Sequence, residues 1–427
     1  MKYFSTKDKS SAVSFAEALF CGLAKDGGLF VPQAIPEYSS AVKSSLATMS
    51  FLDVAFETIK PYVEGEIPDG VLQEIVASAY TFSAPLVHVK SETSKDRYVL
   101  ELFHGPTAAF KDFGARFMAR AFAYLRRGET RTLKILVATS GDTGGAVADG
   151  FFGVEGISVT VLYPKGRVSP LQERQIAGLG GNISAIAVDG SFDDCQALVK
   201  AAFKNEELKK RLDLSSANSI NIARLIPQTI YYSAASGKKP GLCFSVPSGN
   251  FGNLTAGLYA QKMGAPISKF IAATNINKTF PEYLESGKYE EKKSVATISN
   301  AMDVGAPSNF ERMKSHFSLE QMRSNILSTF ITDDETRLCI KKVYAQSGYI
   351  LDPHGAVGFC AADRYLNDLG NTPIAVLATA ASAKFRETVE PLIGCKIPLP
   401  QSLEAAMKRE VNASLIKADL NELCAML

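Results

Sequence analysis

Two apolar runs of strand length end in glycine-rich turns that lead into helices of small residues. Residues 133–139 read LKILVAT and break into Ser140-Gly141-Asp142-Thr143-Gly144-Gly145. Residues 242–246 read LCFSV and break into Pro247-Ser248-Gly249-Asn250-Phe251-Gly252-Asn253, then a helix through Lys262. Uninterrupted apolar runs suit strands buried on both faces, as in parallel sheets covered by helices. Further strands are expected at 97–103, 158–163, 185–188, 270–274 and 374–377, with helices at 113–126 and 192–203. This alternation predicts an open, mainly parallel α/β architecture. Ligands in such sheets sit at the strand C-ends. Residues 1 to about 95 differ, showing helical spacing at 11–23, 51–59 and 71–80 and an extended segment near 29–32. The polar tail after Pro400 reads as terminal helices.

A chain of 427 residues exceeds one ordinary core, so two or three domains are expected. Its 46 basic and 44 acidic residues nearly cancel, which gives no electrostatic case for nucleic acid and makes any anion site local. The polar N-terminus lacks an apolar signal core, so no signal peptide is expected. Residues 240–261 carry no charge, but their Gly, Pro, Ser and Asn content does not suit a membrane helix. The seven cysteines form no CxxC and there are only four histidines, so a Cys/His zinc site has little support. Dispersed cysteines suggest reduced thiols in a cytoplasm.

The uncharged run is explained if the 247–253 turn cradles a phosphate. Glycines let backbone N–H groups approach an anion, and the following helix adds its positive end. The pattern is neither GxGxxG nor GxxxxGK[ST], so a nucleotide site is not supported. Alone, the stretch fits a tight βα turn equally well. The 139–145 turn is a second anion cradle, in which Asp142 suits accepting a hydrogen bond or capping the helix. Residues 215–224 are dense in neutral hydrogen-bonding groups and end at Arg224, whose fork matches phosphate; an ordinary polar loop also fits. Lys111 stands between Phe110 and Phe113, a poor place for a solvated charge. Burial lowers an ammonium pKa toward a nucleophilic amine able to form a Schiff base with an aldehyde cofactor. That stretch alone also fits, and slightly favours, an ion-paired lysine opening a helix. Thr379 ends a strand amid small residues, as a helix cap or as the neutral partner of a ring nitrogen. His88 and His316 read as structural, while His104 and His354 lie in motif-like turns.

Taken in order, the segments GLAKDGGLFVP (22–32), ELFHGPTAAFKDFG (101–114), ATSGDTGGAV (138–147), SANSINIAR (216–224), PSGNFGN (247–253), AMDVGAPSNFER (301–312) and TAASAKF (379–385) resemble the threonine synthase family. These are pyridoxal 5'-phosphate (PLP) enzymes of the tryptophan-synthase-β type, fold type II, here in the longer form with an N-terminal domain. The resemblance implies a mostly helical N-terminal domain at 1–95, a large PLP-binding α/β domain at 96–130 and 225–427, and a small α/β domain at 131–224. It implies Lys111 as the Schiff-base lysine and Gly249, Asn250, Phe251, Gly252 and Asn253 as holders of the cofactor phosphate. Thr379 is implied as partner of the ring nitrogen. The loop Ser140, Gly141, Asp142 and Thr143 would hold the substrate carboxylate and approach the cofactor's hydroxyl side. Asn218, Ser219 and Arg224 match positions that hold the substrate phosphate. Asp142 stands where many relatives carry Asn, and Ala381 and Ser382 stand where many have a proline-containing turn.

The implied reaction converts O-phospho-L-homoserine and water to L-threonine and phosphate, by γ-elimination and β-addition of water. One alternative is a same-fold lyase releasing 2-oxobutyrate. Another is a non-catalytic paralogue, against which the intact Lys111 and both glycine-rich loops speak. Neither nucleic acid nor membrane is expected as a partner, and oligomeric state is left open between monomer and homodimer.

Overall fold

The computed structural model describes residues 1–90 and 97–427, so the expected domain boundary near residue 95 lies outside the described residues. Thirteen strands occur among them: β1 (Tyr3–Ser5), β2 (Phe30–Pro32), β3 (Leu86–His88), β4 (Arg97–Glu101), β5 (Leu133–Ala138), β6 (Ile157–Pro164), β7 (Ile183–Asp189), β8 (Asp213–Ser216), β9 (Leu242–Pro247), β10 (Ile267–Thr274), β11 (Ile326–Phe330), β12 (Ile374–Ala378) and β13 (Ser414–Lys417). They form a two-stranded sheet β1-β2, a six-stranded sheet β11-β10-β9-β12-β4-β3 and a five-stranded sheet β13-β7-β6-β5-β8. The five-stranded sheet is parallel throughout. The six-stranded sheet is parallel except at its β3 edge.

Every residue of β9 and β12 is buried, which is why these runs carry no alternation. The expected parallel α/β layers are therefore present. The tail after Pro400 departs from the helical expectation, because β13 adds a parallel edge to β7. Four residues with one buried side chain leave too little pattern to read before the partner strand is known. The short edge strands β8 and β11 likewise carry too little alternation to be read from sequence. No described helix is long and apolar enough to cross a membrane.

The N-terminal helices buttress the centre. The helix Lys111–Leu125 begins beneath an aromatic cluster in which Phe113 meets Phe51, Tyr80, Phe82 and Tyr231 at ring-centroid distances of 5.1–6.0 Å. Arg116 Nε donates to the Ala79 carbonyl at 2.7 Å, and Tyr80 OH donates to the Phe113 carbonyl at 3.2 Å. The first turn of this helix is thus fixed by packing rather than by a capping side chain.

Candidate active site

Lys111 is the first residue of its helix. A cation at that positive end is disfavoured, so the position itself weakens the ammonium. The lysine is half-buried by surface exposure, yet burial in dense protein lowers its pKa. Asp142 opposes that shift, while Arg224 and Lys384 add to it. The loop before Lys111 is stitched to the C-end of β12: Phe110 N–H donates to Thr379 O at 2.8 Å and Ala381 N–H to Ala108 O at 3.0 Å. These bonds bring Thr379, itself buried, beside the lysine loop.

Non-glycine residues with positive φ number two among the described residues, Ala108 at 54° and Phe251 at 60°. One lies in the lysine loop and the other in the 247–253 turn. Such conformations cost on the order of 1–3 kcal/mol each and persist where the surroundings enforce them. Phe251 precedes the helix Gly252–Met263, whose first N–H groups have no capping side chain. Gly249 is pressed against residues 301–302: a Cβ there would lie 2.8 Å from Met302 Cα and 2.9 Å from the Ala301 carbonyl oxygen. His354 braces that segment, bonding Asp352 at 2.7 Å through Nδ1 and accepting from Ala301 N–H at 3.2 Å through Nε2. His104 instead meets Glu101 at the surface, at 2.7 Å.

Asn253 Oδ1 accepts from Tyr231 OH at 2.6 Å and Tyr232 OH at 2.7 Å. Those bonds fix the amide orientation and leave its buried Nδ2 without a partner. Asn250 Nδ2 donates to Ser219 Oγ at 2.6 Å, and Asn250 Oδ1 accepts from Ser308 N–H at 2.6 Å. The 247–253 turn is thereby joined to the 216–224 segment. In that segment Asn218 Oδ1 and Arg224 Nε are buried and unpartnered. Arg224 donates through a terminal nitrogen to the Ala217 carbonyl at 2.5 Å, and burial pushes its guanidinium down to about 10. Buried polar groups left unpaired in a folded protein call for a ligand or water.

The 139–145 turn is organised by Thr139, whose hydroxyl accepts from Gly141 N–H at 3.0 Å and Gly144 N–H at 2.8 Å. Gly141 has φ +143°, and a Cβ would stand 2.5 Å from Gln172 Nε2, so glycine is required there. Ser140 is exposed and Thr143 half-buried at the turn's outer side. Asp142 does not cap its helix. It accepts from Gln172 Nε2 at 3.0 Å and pairs with Lys384 Nζ at 2.6 Å. Burial works to raise its pKa, but Lys384, Lys111 and the two hydrogen bonds hold the carboxyl well below the usual range.

Sequence reasoning overlooked several of these groups. Lys384 was visible as the one charge in TAASAKF, yet nothing local pointed to its partner. Thr107 and Asp112 are bonded at 2.9 and 2.6 Å, and burial pushes the Asp112 carboxyl up to about 7. Arg312 is fully buried and donates to the carbonyls of Phe30, at 2.9 Å, and Ser219, at 3.4 Å. Among the described residues no group of His, Cys, Asp and Glu is arranged to hold a metal.

The residues suit PLP. Lys111 offers an amine, the 249–253 turn offers backbone donors and an unpaired amide, and Thr379 offers a buried neutral hydroxyl. Comparison with known proteins agrees. Family models match for the threonine synthase N terminus at residues 2–80, for pyridoxal-phosphate dependent enzymes at 81–380, and for the threonine synthase C-terminal region at 355–426. Threonine synthase of Escherichia coli K12 is 45% identical over 408 residues, covering 94% of each chain. That of Saccharomyces cerevisiae is 38% identical, covering 91% of this chain and 88% of its own. The crystal structure of PLP-bound threonine synthase from Brucella melitensis superposes with a TM-score of 0.92 at 37% identity, covering 100% of this chain and 98% of its own. A threonine deaminase from Solanum lycopersicum matches at TM-score 0.59 and 18% identity, which speaks for the fold alone. The chain belongs to the threonine synthase family of pyridoxal-phosphate-dependent enzymes.

Proposed function

We propose that this chain converts O-phospho-L-homoserine and water to L-threonine and phosphate. The observation that supports the reading is the 2.6 Å bond from Asn250 to Ser219, which joins the 247–253 turn to the segment whose Arg224 acts on Lys111, a lysine of lowered pKa. One cradle, at Gly249, Asn250, Phe251, Gly252 and Asn253, suits the cofactor phosphate. The other, at Asn218, Ser219 and Arg224, suits the phosphate of the substrate. In the 140–143 turn, Ser140, Gly141 and Thr143 suit the substrate carboxylate, and Asp142 suits the cofactor's hydroxyl side.

PLP, when bound, supplies an electron sink for charge developing on the amino-bearing carbon. Lys111 would hold the cofactor through Nζ, and the same Nζ, when free, would take a proton from the substrate carbon next to the carboxylate and return one later. A neutral amine is needed for the first task, and burial beside Arg224 and Lys384 favours it. Thr379 would serve the ring nitrogen as a neutral hydrogen-bonding partner. Arg224 holds the phosphate as it leaves.

We also read the chain as three units, with residues 1–95, 131–224 and the remainder as separate domains. Its seven free cysteines fit a reducing cytoplasm. The test is to incubate PLP-loaded protein with O-phospho-L-homoserine and score threonine, 2-oxobutyrate and phosphate together. Equal threonine and phosphate are expected. Phosphate accompanied by 2-oxobutyrate would identify a lyase instead. No phosphate at all, with no reduction of PLP onto Lys111 by borohydride, would identify a non-catalytic protein.

A further inference from the structure

Asp142 lies in the buried centre with Lys384 and Lys111 acting on it, and its direct contact is to Lys384; the buried Asp112 carboxyl also faces Lys384 and Arg224. The Lys384 ammonium lies 2.6 Å from Asp142, with both side chains nearly inaccessible to water. It also donates to the Thr107 carbonyl at 3.0 Å, an oxygen shared with Gln175 Nε2 at 3.1 Å. Lys384 therefore ties the Asp142 turn, at the C-end of β5, to the loop that leads into Lys111. Lys111 has no comparable partner among the described residues. The charged groups acting on it are Asp142 at the start of the helix Asp142–Phe151, Arg224 on the helix Ile222–Leu225, and Lys384 on the turn Ser382–Phe385. Asp112, next on Lys111's own helix, is turned to Thr107.

We propose that Lys384 is a positioning residue for the reaction: it occupies and neutralises Asp142, leaving Lys111 as the lysine that gives up its proton. If Asp142 paired with Lys111 instead, the ammonium would be stabilised and the amine would be a poor nucleophile and base. The proposal rests on the reading of Lys111 as the cofactor-bearing lysine. It also explains how a carboxylate is tolerated at the Asp142 position, since its charge is matched locally by a buried cation.

The two halves of the pair act on Lys111 with opposite signs, which separates this role from a merely structural one. Removing Lys384 takes away a repelling cation and leaves Asp142 unmatched, so the Lys111 amine should titrate at higher pH. Removing the charge of Asp142 should move the titration lower. Shifts of about one pH unit are expected for charged groups that act on one another inside dense protein. The measurement is trace acetylation of Lys111 against pH in the full-length chain freed of PLP, read by mass spectrometry. It is paired with the pH profile of kcat/KM in the loaded enzyme. Lys384→Met should raise the midpoint, Asp142→Asn should lower it, and Lys384→Arg should restore it. The double variant Lys384→Met/Asp142→Asn removes both charges of the pair, so it remains informative if Lys384→Met alone fails to fold, and its midpoint should lie near wild type. Shifts of both single variants in one direction, or a Lys384→Arg variant shifted as far as Lys384→Met, would overturn the proposal. Borohydride fixation of PLP on Lys111 is the separate check on the underlying reading. Its failure refutes both, whereas same-sign shifts with successful fixation refute only the role of Lys384.

Discussion

Gly249→Ala probes the phosphate cradle without removing a hydrogen-bonding group. The added methyl would lie 2.8 Å from Met302 Cα and 2.9 Å from the Ala301 carbonyl oxygen. That is about 0.7 Å inside the roughly 3.5 Å at which carbon atoms meet. Both obstacles are backbone, and His354 braces them through its bond to Ala301 N–H at 3.2 Å. Neither side can yield cheaply, so the turn must shift by several tenths of an ångström. Gly249 has no positive φ, which means the cost is steric rather than conformational. Overpacking of this kind costs about 1–3 kcal/mol. Misplacing a binding group by about 1 Å can cost on the order of 100-fold in function. The variant should therefore melt at lower temperature and bind PLP at least about tenfold more weakly, a loss equal to about 1.4 kcal/mol. The assay compares PLP with pyridoxal, which lacks the phosphate, by spectral titration of the cofactor-free chain. If residues 249–253 cradle the phosphate, the wild-type preference for PLP should collapse in the variant while pyridoxal affinity barely moves. Equal losses for the two ligands would refute the cradle, and unchanged affinity for both would refute the packing argument as well.

Arg224→Ala removes a guanidinium whose Nε is buried without a partner, and turnover on phosphohomoserine should fall at least about tenfold with a raised KM. Unchanged steady-state constants would remove Arg224 from the substrate site. Asp112, raised by burial from 3.8 to about 7, stabilises the fold most below pH 4, and that contribution is lost as pH rises through 7. Asp112→Asn should therefore flatten the decline in urea midpoint between pH 4 and 7, a difference on the order of 4 kcal/mol by linkage; an unaltered pH profile would count against a titrating Asp112. Tyr231→Phe and Tyr232→Phe each leave Asn253 Oδ1 one donor, so each should cost about 1 kcal/mol in denaturant unfolding. The double variant leaves the oxygen bare and should lose more than the sum, with weaker PLP binding; simple additivity would contradict a shared acceptor.

Much of the scaffold could be read before any coordinates. Mainly apolar runs such as 133–138 and 242–247 are legible because those strands are buried on both faces over most of their length, and the turns that follow carry glycines for geometric reasons. The order of motifs along the chain is likewise enough to indicate the family and its cofactor. What the sequence could not supply is who meets whom. Asp142 and Lys384 are separated by more than half the chain, and only the packing of the Ser382–Phe385 turn against the β5 end makes them partners. Asn253 was expected at the cofactor phosphate, but only the burial of Tyr231 and Tyr232 shows which of its amide atoms is left free. Edge strands β8, β11 and β13 take their conformation from the neighbour they join. Local chemistry sets periodicity and turn type. Charge pairing, desolvation and edge pairing depend on distances between remote segments, and those distances exist only once the chain has folded.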